Sequence, residues 1–316
     1  MTMPNSILPW LLFVPVLAGV LAWLSERVNQ QAPRWVALGG MFLVALLLLG
    51  NWPTEYPQGG WWANYRSDWV PSWGISFHLA IDGLSALMVL LASLLGAIAV
   101  GASWNEVQKN VGLFHLHLSL MLAAVIGVFM AVDLFLFFIS WEVMLVPMYF
   151  LITLWGVEVV GGVGRAHAAT KFFIYGQGSG LLMLLGILGL VFFHHANTQV
   201  LTFDYESLKG TVLAPGVAWF LMLGFFLAFA VKLPAVPFHG WLPDAHMHAP
   251  TGASVDITGL LLKTSAYGII RFCLPLFPDA SREFADVAMT LGVISVVYGG
   301  VLAYGQTHLK RLVAYT

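Results

Sequence analysis

Nine apolar runs dominate this chain, each close to the length needed to cross a bilayer. They fall at roughly 7–24, 35–50, 82–102, 113–131, 134–156, 168–193, 216–237, 253–273 and 285–305. About 20 residues of helix span about 30 Å of hydrocarbon, and a backbone in lipid must satisfy its own hydrogen bonds. Long unbroken runs predict helices rather than the alternating strands of a barrel. The expected fold class is therefore an all-α polytopic membrane protein. Composition agrees, with 59% hydrophobic and 9% charged residues against about 25% charged in a soluble domain.

The first run is not expected to be a cleaved signal peptide, because nothing before it is basic (MTMPNSILPW). A single cysteine, Cys273, excludes an internal disulfide, and a net charge of −2 gives no reason to expect a nucleic-acid partner. Lys and Arg in the connecting segments favour an N-terminus on the outside: Arg27, Arg34, Lys109, Arg165, Lys310 and Arg311 then lie inside. Between the second and third runs, residues 51–81 are rich in Pro, Gly and Trp. The alternating WGISFHLAID predicts a strand there, in a hairpin that caps the outer face as a structural lid.

Three charges stand inside the runs. Glu142 lies in LFLFFISWEVMLVPMYFL, Lys232 in WFLMLGFFLAFAVKLPAVPF and Lys263 in TGLLLKTSAYGII. Each costs about 2.5–3.5 kcal/mol near a helix centre, so three unpaired would cost roughly 8–10 kcal/mol. Such groups persist where they pair, meet water or carry ions. Pro147 lacks an N–H and clashes with the carbonyl of Val143, so the helix loosens beside the Glu142 carboxylate. Pro234 and Pro237 follow Lys232 and should break its helix, freeing the carbonyls of Ala230 and Leu233. Broken helices at membrane depth mark binding sites and pathways. The approach or withdrawal of Glu142 would then set whether a proton stays on Lys232. Moving one charge against about 150 mV costs roughly 3.5 kcal/mol, and a nearby opposite charge changes proton affinity by roughly 1.4–4 kcal/mol. The magnitudes match.

Lys263 is placed to receive that proton, and His239 to relay it from the broken helix. His246 and His248 belong at a helix–loop boundary, and no carboxylate or cysteine completes an evident zinc pattern with them. Lys171 either snorkels or lines an inner entrance, and Asp133 is expected in an exposed turn. Asp82 and Asp256 are expected to open helices. His115 and His117 have no obvious partner, and Gly176, Gly178 and Gly180 read as small residues for close helix packing. No iron–sulfur, haem or flavin pattern is present, so no cofactor is expected on this chain.

The stretch VKLPAVPFHGWLPDAHMHAPTGASVDITGLLLKTSAYGIIRF closely resembles the signature of the antiporter-like membrane subunits of respiratory complex I, in particular the M branch, equivalent to mitochondrial chain 4. SFHLAIDGLSALMVLL, FFISWEVMLVPMYFLI, ATKFFIYGQGSG and THLKRLVAYT resemble the same group. The resemblance implies a proton-translocating subunit of NADH:quinone oxidoreductase in a bacterial inner membrane. Its hallmark glutamate falls on Glu142, the broken-helix lysine on Lys232, the next lysine on Lys263 and the motif histidine on His239. It further implies L- and N-like neighbours, with NADH, FMN, Fe–S clusters and quinone housed in partner subunits. Two inverted five-helix repeats are implied. The first is expected at 113–273, after N-terminal helices and hairpin at 1–112, and 274–316 is read as the start of a truncated second repeat in a fragment. A subunit of a multisubunit cation/proton antiporter or of a membrane-bound hydrogenase is the alternative, using the same charges. A purely structural scaffold fits three intramembrane charges poorly.

Overall fold

The computed structural model describes residues 3–54, 60–158 and 163–316. Among them, nine helical segments are long and apolar enough to cross a membrane. Two come first, α1 (Ile7–Ser25) and α2 (Ala32–Gly50). The antiparallel strands β1 (Ala63–Val70) and β2 (Ile75–Ile81) follow, with Ala63 opposite Ile81 and Ser67 opposite Phe77. Residues 55–59 of the expected cap lie outside the described residues. Gly74 closes the hairpin at φ +68°, and a Cβ there would strike the carbonyl of Leu201, so the turn and this close approach both require glycine.

The next helices are α3 (Gly83–Ala102), α4 (Val111–Met130), α5 (Leu134–Val143), α6 (Leu145–Trp155) and α7 (Arg165–Thr198). α4 is central: every residue from Met121 to Met130 is buried, as expected for a helix that is apolar all round. It packs against α1, α2, α3, α5 and α6. The span expected at 134–156 is two helices meeting at Met144, three residues before Pro147. α7 runs past the expected 168–193 to 34 residues, about 51 Å of helix, longer than the hydrocarbon layer.

α8 (Tyr205–Leu208) is a single turn, and α9 (Pro215–Lys232) stops at the lysine instead of continuing to 237. The carbonyl of Ala230 is not left free, however: the N–H of Ala235 donates to it at 2.9 Å. α10 (Trp241–His248) precedes a long span built of α11 (Thr251–Asp256), a π-helical stretch Ile257–Leu261, α12 (Leu262–Gly268), a second π stretch Ile269–Cys273 and α13 (Leu274–Leu276). α14 (Pro278–Tyr304) starts earlier than expected, buries only Ala280 and Ala303, and is followed by α15 (Leu309–Tyr315).

Asp133 contradicts its sequence reading. It is fully buried, caps α5 through the N–H groups of Phe135 and Leu136, and accepts from the backbone and hydroxyl of Ser76 on β2. Burial raises its carboxyl pKa despite these bonds. The same face is locked by His78, which bonds Asp204 at 2.6 Å and Asn64 at 2.8 Å, and by Asp204 capping α8. The hairpin thus clamps the α4–α5 turn and the chain after α7. Asp82 caps α3 as expected, through Ser85. Asp256 does not open a helix: it closes α11, fully buried, with neither carboxyl oxygen hydrogen-bonded.

Candidate functional site

Glu142 and Lys232 come together although 90 residues separate them. α5 and α9 both pack against the long helix α7 or its neighbours, and the break at Met144 ends α5 just after the glutamate. Both Glu142 oxygens are buried and lack a hydrogen-bond partner, as does the Lys232 Nζ, whose residue is 2% exposed. The two groups act on each other through their charges, with Gln177 of α7 the other polar group acting on the carboxylate. At an effective dielectric of about 20, unit charges about 5 Å apart attract by about 3.3 kcal/mol.

The rest of the enclosure is apolar. The ammonium lies 3.8 Å from the Trp141 ring centroid, a cation–π contact worth about 2 kcal/mol when desolvated. Gly180 abuts the Glu142 carboxylate so closely that a Cβ would overlap Oε1. Trp241 Nε1 donates to the carbonyl of Val231 at 2.8 Å, tying α10 to the residue before the lysine. A void of about 10 Å³ beside the ammonium is lined by Phe172, Gly176, Val231 and Trp241. It has room for about one water.

Lys263 is not part of this cluster. It is exposed among the described residues and donates to the carbonyl of Thr258 at 2.6 Å, which the π-helical geometry places five residues back. His239 is half-buried outside the spans and lines a cavity of about 230 Å³ with Leu233, Pro234, Ser295, Tyr298 and Tyr315. Its Nδ1 has no partner, and burial, then the charge of Lys171, hold its pKa below the ordinary histidine value.

Lys171 snorkels to a partner: its Nζ bonds Asp244 at 2.7 Å, and Arg311 approaches the same carboxylate at 3.7 Å. His246 and His248 end α10, where His248 Nδ1 donates to the carbonyl of Val157 at 2.7 Å. His115 and His117, expected to be without partners, each bond a carbonyl one turn back, Val111 and Leu113, at 2.8 Å. Among the described residues no group of His, Cys, Asp and Glu forms a metal site.

Trp141, Gln177, Gly180, Trp241 and Asp244 were not singled out for this site by sequence reasoning. Only Gly180 left a trace, as the last glycine of GQGSG. Of the three glycines, Gly176 packs on Leu145, Gly180 on the carboxylate, and Gly178 is exposed with open space around it.

Residues 131–316 match the family described as NADH:quinone oxidoreductase/Mrp antiporter, TM. NADH-quinone oxidoreductase subunit M of Escherichia coli (strain K12) is 56% identical over 321 residues, covering 98% of this chain and 62% of its own length. A chain of respiratory complex I from Thermus thermophilus with bound NADH superposes with a TM-score of 0.82 at 29% identity, covering 98% of this chain and 61% of its own. A chain of the Mrp complex from Dietzia sp. DQ12-45-1b shares the fold, with a TM-score of 0.80 at 22% identity over 98% of this chain and 32% of its own. The chain therefore spans about three fifths of the curated relative it matches.

Proposed function

Because this chain belongs to the NADH:quinone oxidoreductase/Mrp antiporter transmembrane family, we propose that it carries protons as part of an M-type subunit of a bacterial NADH-quinone oxidoreductase. The observation that carries the reading is the buried Glu142–Lys232 pair, whose polar atoms have no hydrogen-bond partner. A pair whose other polar neighbour is Gln177 alone responds strongly to any change in its own separation. When the carboxylate is near, the lysine keeps its proton; when it withdraws, the proton leaves.

Entry is assigned to the end bearing Lys171 and Asp244, on the side of the void beside Lys232. The proton then leaves laterally toward Lys263 and the face of α14, with His239 serving the cavity between α9 and α14. The hairpin face is assigned to the outside of a bacterial inner membrane, and NADH, flavin, iron–sulfur and quinone chemistry to partner subunits. L- and N-like membrane subunits are the neighbours this reading implies.

The test is Glu142→Ala and Glu142→Asp in the full-length gene, with NADH-driven acidification of membrane vesicles as the readout and NADH–ferricyanide reduction as the assembly control. Acidification should vanish in the alanine variant and persist in part in the aspartate variant. Full acidification in Glu142→Ala would refute the assignment. The antiporter alternative rests on shared fold at 22% identity, whereas 56% identity supports the oxidoreductase. Unchanged NADH-linked activity together with lost salt tolerance would favour the alternative.

A further inference from the structure

The enclosure of Lys232 is strongly one-sided. On its hairpin side lies a layer of aromatic rings. Phe137 and Trp141 come from α5, Phe229 from α9 one turn before the lysine, and Phe272 from the second π stretch. All four are fully buried. Their centroids are 4.5 Å apart for Phe137–Phe272, 5.4 Å for Trp141–Phe229, 5.8 Å for Phe137–Trp141 and 6.3 Å for Phe137–Phe229. These are spacings of rings in van der Waals contact, the close packing of an apolar interior. Gly268 accommodates the layer, since a Cβ there would collide with the Phe229 ring.

Beyond the rings the character changes at once. Phe272 meets Tyr205 edge to face at 5.3 Å and Tyr267 edge to face at 6.3 Å. The Tyr267 hydroxyl donates to the carbonyl of Phe129 and meets Ser85 Oγ at 3.1 Å. Arg271 pairs with Asp82, and both line a cavity of about 440 Å³ with Tyr205, Glu206 and Lys209. A polar vestibule on the hairpin face is thus separated from a buried ammonium by a single aromatic layer. A small void beside that ammonium lies the other way, toward Phe172 and Trp241.

We propose that Phe137, Phe229 and Phe272 form a septum that stops a proton on Lys232 from escaping straight to the hairpin face. This rests on the proton-carrying reading of the Glu142–Lys232 pair. The septum makes transfer sideways, rather than outward, the open route, and it keeps the pair from short-circuiting the gradient between turnovers.

The experiment reads passive leak. Membrane vesicles carrying the assembled complex receive a potassium diffusion potential through valinomycin without NADH, and proton entry is followed with an entrapped pH dye. Phe229→Gln and Phe137→Ala should each raise the leak about tenfold, the effect of about 1.4 kcal/mol off a barrier. Adding Lys232→Met to either should return it to the wild-type level. Phe114→Ala, an equally buried aromatic on α4 away from the pair, should stay tight.

Tight vesicles from the assembled septum variants would overturn the proposal. So would an equal leak from Phe114→Ala, or a leak that survives Lys232→Met. If Phe229→Gln does not assemble, Phe229→Leu, the milder truncation, is read by the same criteria. The leak is measured without turnover, so its outcome is separable from NADH-driven acidification in Glu142→Ala.

Discussion

On the proton-carrying proposal, a single methyl group at Gly180 should weaken coupled pumping while leaving the fold intact. The Cβ of Gly180→Ala overlaps Glu142 Oε1 and falls 2.9 Å from its carboxyl carbon. The obstacle is the far end of a flexible side chain, so the carboxylate moves and the helix does not. For any such pair, moving a carboxylate from about 5 Å to about 7 Å from an ammonium lowers the attraction from about 3.3 to about 2.4 kcal/mol at an effective dielectric of about 20. A loss of about 1 kcal/mol is about a fivefold change in an equilibrium or a rate.

Gly178→Ala is the matched control, because nothing lies within 4 Å of its Cβ. Both changes gain the same helix propensity, about 1 kcal/mol, so propensity cancels between them. The assay is NADH-driven acidification relative to quinone-linked turnover, with ferricyanide reduction reporting assembly. Gly180→Ala should lose about fivefold in coupled pumping and Gly178→Ala nothing. Wild-type pumping in an assembled Gly180→Ala complex, or an equal loss in both variants, would refute the argument from carboxylate displacement.

Two further outcomes follow from the structure. Lys232→Arg keeps the charge, but a guanidinium is planar and larger than an ammonium, and the adjoining void of about 10 Å³ has no room for it; pumping should be lost as in Lys232→Ala, and full activity in the arginine variant would show that charge alone suffices. At the hairpin, burial raises the Asp204 pKa, but His78, the Ser207 N–H and Arg66 more than offset it and hold the carboxyl below its ordinary value. A depressed folded-state pKa stabilises above the ordinary carboxylate value, about 3.9, and that contribution is lost as pH falls through the folded value. Asp133 has the opposite sign, so the comparison is wild type against Asp204→Asn. Relative to the intrinsic exchange rate at each pH, hairpin amides of the wild type should lose protection as pH drops below about 4, and those of Asp204→Asn should already lack it at neutral pH. Equal protection in the two proteins at neutral pH would remove the latch from the account.

The nine spans, the break after Lys232 and the loosened turn after Glu142 were all legible in the chain, because each depends on neighbours within a turn or two. Apolar length is a local property, and so is the missing N–H of proline. The strand at WGISFHLAID was legible for the same reason, through its alternation and the Gly74 turn. Helix ends were read less well: α7 continues to Thr198 because polar residues at its ends are tolerated in helix outside the hydrocarbon, where hydropathy no longer marks them.

The sequence suggested that Glu142 approaches Lys232, but it could not decide which charges are enclosed and which are exposed. All three stand as ions in apolar runs, yet Glu142 and Lys232 are enclosed and act on each other through their charges, whereas Lys263 is exposed and bonded to its own helix. Asp133 looked like an exposed turn residue and is the buried tie between hairpin and bundle. The rings sealing Lys232 are spread over three segments between residues 137 and 272, and nothing in any one of them distinguishes a seal from ordinary core. Burial and pairing depend on how each helix is rotated about its axis and which neighbour it packs against. Those are properties of the assembled bundle, so the order of residues along the chain determined that charges stand within apolar spans, and the tertiary packing decided which of them are enclosed together and which is left exposed.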